Sequence, residues 1–140
     1  MNMTSELITR LSTLDAPDRE VDWEIQQFFM GEWLQKNGYR REGDHYRTFT
    51  PPLSGTEICS GPEHYTFSVD AAIALAEKVL PGWYWGITQG DDGEDAMEFQ
   101  GNVWPSIQPY PAELEQYGYH KFPAIALLIA LLRAKEASKL

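Results

Sequence analysis

The stretch Y-W-G-I-T-Q-G-D-D-G-E-D-A-M-E-F-Q-G-N-V-W at residues 84–104 decides the fold. Tyr84 to Thr88 and Met97 to Val103 have strand composition, and Gly90 to Asp95 between them is rich in turn formers, which predicts an antiparallel hairpin. Downstream, Trp104 through Pro111 contains three prolines, which give no N–H to a ladder. That segment is excluded from a central strand but can run along an edge. From Pro123 to Ala137 the chain is apolar almost all round until Arg133, so this helix must be covered on most sides.

Upstream of the hairpin the apolar period is helical. Thr4 or Ser5 is the expected cap of a first helix with Leu7, Ile8, Leu11 and Leu14 on one face. Asp15-Ala16-Pro17 breaks it. In a second helix Val21, Ile25, Phe28 and Phe29 share a face, and Asp18, Glu20 and Asp22 crowd the positive end of its dipole. Asn37-Gly38 is a C-terminal stop, although Gly31 allows an end near Met30. Residues 39–62 read as an ordered, irregular loop with a short strand near Tyr46 to Phe49. Ser68 caps a third helix whose face is Val69, Ala72, Ile73, Ala76 and Leu80, ended by Pro81-Gly82. Together these predict a single α+β domain over 1–140, with about four helices packed around a small antiparallel sheet in a layered, sandwich-type arrangement. Which layer each helix occupies stays open.

Composition narrows the function. Eleven basic against 21 acidic residues give a net charge of −10, which repels phosphate backbones and anionic lipid surfaces, so neither nucleic acid nor membrane is an expected partner. Phe122 to Leu132 is shorter than the ~20 residues of a membrane span. A single cysteine, Cys59, makes no internal bridge, and no secretory leader opens the sequence, so a cytoplasmic setting is expected.

Five phrases carry a family resemblance: L-I-T-R-L at 7–11, P-D-R-E-V-D-W-E-I at 17–25, Y-T-F-S-V-D-A-A-I-A-L at 65–75, V-L-P-G-W-Y-W at 79–85 and P-A-I-A-L-L-I-A-L-L-R-A at 123–134. In this order they resemble the small tailed-phage and prophage proteins that carry the phage αβα-sandwich domain. The resemblance spans nearly all of the chain except 37–62 and the acidic loop near 91–95. It implies a layered fold and a phage or prophage accessory protein working in the host cytoplasm, and it brings no chemistry with it. One departure is Phe122-Pro123, where related sequences tend to have a hydroxyl residue before the proline, which leaves the last helix without an obvious cap.

Candidate chemistry divides into features that structure explains and one that it explains less well. Cys59 lies in I-C-S-G-P, which matches no nucleophile motif, and His45, His64, His120 and Cys59 lack the short spacing of a zinc half-site. Asp91 to Asp95 lacks the alternating order of a calcium loop and reads as a solvated turn. No metal, cofactor or catalytic set is expected. Arg19 stands three residues before Asp22, as a structural ion pair would, although its long side chain can also reach a ligand.

Aromatic residues outside the helices are harder to set aside, because amphipathic rings that do not fill a core often line a pocket or an interface. Arg19, Asp22, Tyr46, Trp83, Trp85, Trp104, Tyr119 and His120 are the candidate ligand-binding residues. The expected partners are a host protein or a small anionic, aromatic ligand such as a nucleotide, with a homodimer as a further state. A non-enzymatic binding protein is the leading reading. A small hydrolase or transferase would need Asp22 or Asp70 beside His64 or His120, and a virion or assembly component would need a large self-association surface.

Overall fold

The computed structural model describes residues 2–36, 39–42, 45–48, 62–89, 98–107 and 112–137, with the side chains of 32–36 and 39–48 outside that description. In chain order the elements are α1 (Met3–Ser12), α2 (Arg19–Lys36), β1 (Tyr39–Glu42), β2 (His45–Thr48), α3 (Val69–Val79), β3 (Tyr84–Gln89), β4 (Phe99–Trp104), a 3₁₀ turn (Ala112–Leu114), β5 (Gln116–His120) and α4 (Pro123–Ala137). β3, β4 and β5 form an antiparallel sheet in that order, and β1 pairs with β2 in a separate antiparallel ladder. This is an α+β fold in which helices pack against a small antiparallel sheet.

The apolar surface of α4 explains the layering. It lies against β4 and β5 on one side and against α1 and α3 on the other. Ala124 to Leu132 and Ala134 are all buried, and Arg133 alone in that span reaches solvent, where its guanidinium donates to the Tyr117 carbonyl at 2.8 Å. Leu7, Leu11, Val21, Ile25, Leu75 and Val103 complete the core around it. A helix apolar on every side is stable only in such a central position. α2 extends the helical layer beyond α1, and an ion pair between Arg10 and Glu24 joins the two.

Several local expectations are corrected. The cap of α1 is Asn2, whose Oδ1 accepts from the Ser5 amide at 2.8 Å, while Thr4 is inside the first turn and buried. Asn caps as well as Ser or Thr and stands two positions before Thr4. α2 ends at Lys36, as the Asn37-Gly38 stop predicts, and not near Met30, since tertiary contacts outweigh the ~1 kcal/mol that mid-helix Gly31 costs. Residues 39–48 contain two strands rather than one, with Arg41 opposite Tyr46. Residues 49–61 lie outside the described residues. β4 ends at Trp104, and the third strand of the sheet is β5 rather than the proline-rich segment. Ser68 caps α3 as expected, its hydroxyl accepting from the Ala71 amide at 3.1 Å, and the chain leaves that helix through Gly82 at φ +84°.

Candidate functional site

Strand register sorts the aromatic residues by face. Trp85 opposes Val103, Ile87 opposes Gly101, and Gly101 opposes Gly118, which sets these residues toward α4. The alternate residues point away from α4: Tyr84 opposite Trp104, Gly86 opposite Asn102, Asn102 opposite Tyr117, and Gln100 opposite Tyr119. One outward face thus collects Tyr84, Trp104, Tyr117 and Tyr119 around the amides of Gln100 and Asn102. Tyr84 and Tyr119 are 56% and 52% exposed. The Tyr84 and Trp104 rings sit 5.7 Å apart at 33°, a tilted pair lying side by side across the ladder. The Tyr117 hydroxyl donates to Glu115 at 2.5 Å, and this bond raises its pKa above the usual 10.0.

Two of the candidate aromatics are elsewhere. Trp83 packs against the core, and Trp85 occupies the opposite face of β3 at the sheet edge. Tyr46 belongs to β2, but its side chain lies outside the described residues, as do Cys59 and the acidic segment Asp91 to Asp95.

Arg19 and Asp22 form a closed structural knot. Asp22, 1% exposed, accepts from the Thr66 amide at 2.8 Å and the Thr66 hydroxyl at 2.9 Å on Oδ1, and from the Arg19 guanidinium at 2.8 Å on Oδ2. Arg19 also donates to the carbonyls of Pro62 and Glu63, at 3.0 and 3.3 Å. Asp18 caps α2 through its carboxylate to the Val21 amide, and its own amide donates to Thr66 Oγ1 at 2.8 Å. The phrase P-D-R-E-V-D therefore ties the start of α2 to the turn that leads into α3.

His120 is similarly committed. Its Nε2 is 2.9 Å from the Leu14 carbonyl, and its Nδ1 accepts from the Phe122 amide at 3.0 Å. The second bond requires a bare Nδ1, so the ring is neutral with its proton on Nε2. This bond fixes the backbone of Phe122, which immediately precedes Pro123 at the start of α4 and whose carbonyl accepts from the Ala126 amide. Burial lowers the pKa of His120, with Lys121 acting in the same direction, against the Leu14 carbonyl and the charges of Glu98 and Asp15. Asp22 and His120 thus bond to different partners and do not form an acid–base pair.

A groove of about 560 Å³ opens beside α3, with Met30 and Leu75 among its apolar walls and Asp70 and Lys78 among its charges. Among the described residues, none of the candidate ligand-binding residues lines it. Among the described residues no cluster of His, Cys, Asp or Glu is placed to hold a metal, and no helix is long and apolar enough to cross a membrane. No family model, no curated protein and no solved structure matches the chain.

Proposed function

We propose that this protein is a non-enzymatic binding protein whose contact surface is the outward face of the β3–β4–β5 sheet. The observation that carries the reading is the register, which sets Tyr84, Trp104, Tyr117 and Tyr119 together on the side away from α4. Rings left on a face that the core does not use supply large, rigid contact area at little entropic cost, which is why tyrosine and tryptophan concentrate in binding surfaces. Of the four titratable groups that an enzyme would draw on, Asp22 and His120 spend their hydrogen bonds on holding the fold. On the phrases that resemble the phage αβα-sandwich proteins, the setting we propose is an accessory protein in the cytoplasm of a phage-carrying cell, meeting a host protein or small molecule there.

The test is native mass spectrometry of the wild type and of a Trp104→Ser/Tyr119→Ser double variant after exposure to a host-cell extract. An added mass on the wild type that the double variant loses supports the reading. Equal capture by both proteins, or none by either, removes it.

A further inference from the structure

Resting on that reading, we infer that the outward sheet face takes a neutral, hydroxyl-rich ligand, an uncharged oligosaccharide chain. Three observations lead there. The first is charge. Every residue that β3, β4 and β5 direct outward is uncharged, in a chain of net charge −10. A phosphate-bearing ligand would meet overall repulsion with no cation on the face to offset it. Among the described residues a cationic peptide would find only isolated carboxylates at the margin, Glu98 just before β4 and Glu115, the latter already accepting from Tyr117.

The second is chemical complementarity. A pyranose ring has one face of C–H bonds and a rim of hydroxyls. The C–H face stacks on the electron-rich face of an aromatic ring, and the tilted Tyr84–Trp104 pair offers two such faces side by side. The hydroxyl rim needs groups that both donate and accept, which the amides of Gln100 and Asn102 provide. Gly86 has no side chain, and the space above it is filled by its neighbours: Asn102 Oδ1 lies 2.7 Å and Trp104 Cζ3 3.5 Å from where a Cβ would stand, which holds the amide beside the indole.

The third is size. With strands of six residues, the face measures about 20 Å along the strands and about 14 Å across, roughly 300 Å² in all. A stable protein partner, including a second copy of this chain, needs about 800 Å² on each side. Outward side chains repeat about every 7 Å along a strand, and strands lie about 5 Å apart. Two to four sugar rings laid diagonally from Tyr84 and Trp104 toward Tyr117 and Tyr119 would cover such a surface.

The experiment is a screen of the intact protein against an array of neutral oligosaccharides built from hexoses and N-acetylhexosamines. Each hit is followed by tryptophan fluorescence titration. We expect saturable binding to at least one neutral glycan, with Kd changing less than about twofold between 50 and 500 mM NaCl, because no counterions are released. Trp104→Ala and Tyr119→Ala should each weaken binding at least about tenfold at an unchanged melting temperature, and Trp104→Tyr should restore part of it. An array without hits up to millimolar glycan overturns the inference, as does salt-sensitive binding of a twelve-nucleotide oligothymidylate or a dimer that buries Trp104. If the double variant still loses an added mass in the extract experiment, the sheet face remains the contact surface for a ligand of another class.

Discussion

Gly101 and Gly118 face each other across β4 and β5, and the backbone of α4 lies where both of their side chains would be. A Cβ on Gly101 would stand 2.6 Å from Ala126 C and Leu127 Cα, and one on Gly118 would stand 2.8 Å from the Ala130 amide nitrogen and Ile129 Cβ. Most of these obstacles are main-chain atoms, which cannot rotate aside. The pair therefore sets how closely the central helix approaches the sheet, with Ala126 and Ala130 as the small residues on the helix side.

Gly118→Ala and Gly101→Ala should each cost about 1–3 kcal/mol through forced displacement of α4, read as a lower urea midpoint. The double variant should cost less than the sum, because once the helix has moved for one methyl the second meets less resistance. A midpoint unchanged by either substitution would contradict the close approach.

The Asp22 knot makes an opposite kind of prediction, from satisfied polar groups rather than tight packing. Thr66→Val keeps the shape but leaves the Asp18 amide without its 2.8 Å acceptor and Asp22 without one of its donors. It should cost about 1–3 kcal/mol. Asp22→Ala leaves the Thr66 amide and part of the Arg19 guanidinium unpaired and should cost about 3–5 kcal/mol. Chemical denaturation checks both. If Asp22 instead served a ligand, its removal would leave the unliganded protein as stable as before or more so.

The fold was legible where burial and side-chain chemistry agreed. α4 declared itself because residues 124–132 are apolar on every side, and Ser68 and Pro81-Gly82 bracketed α3. β5 was not legible, because its alternation is inverted: Tyr117 and Tyr119 point outward while Gly118 and His120 point toward α4. A strand whose inward positions are a glycine and a histidine has no hydrophobic period to find. The candidate site shows the same divide. Trp104 and Tyr119 stood out as rings outside the helices, but their common face depends on pairing between strands that sequence spacing does not reveal. Arg19 with Asp22 could be read from spacing, whereas Thr66, 44 residues away from Asp22, could not.

His120 should make the fold sensitive to acid. Its folded pKa is lowered from 6.5, chiefly by burial. As pH falls below about 6.5 the unfolded chain takes up a proton that the folded ring resists, so stability is present above that pH and is lost on acidification. Protonating Nδ1 would also break its bond to the Phe122 amide and loosen the entry to α4. The Leu14 carbonyl, Glu98 and Asp15 favour the charged ring, while Lys121 adds to burial in opposing it. Comparing urea midpoints from pH 7.5 to 5 should show a decline in the wild type that is smaller in His120→Gln. Parallel curves would show that other groups dominate this range.

Tyr65 predicts a second, alkaline limit. Its ring is buried, its hydroxyl donates to Gln26 Oε1 at 2.5 Å, and its pKa is pushed up to about 12, first by burial and then by the charges of Glu63 and Asp22. Because the unfolded phenol ionises near 10.0, the unfolded chain releases its proton first as pH rises. Tyr65 therefore contributes stability that is complete below pH 10 and is lost as pH climbs toward 12. Ultraviolet titration of phenolate in the folded protein should show one tyrosine ionising well after the exposed ones, and that late step should vanish in Tyr65→Phe. At neutral pH the same variant should lose about 1 kcal/mol, the net worth of one hydrogen bond, and should lose less of its remaining stability between pH 10 and 12 than the wild type does. A Tyr65→Phe protein with an unchanged titration curve would mean that this hydroxyl is not held away from water between α2 and the turn before α3.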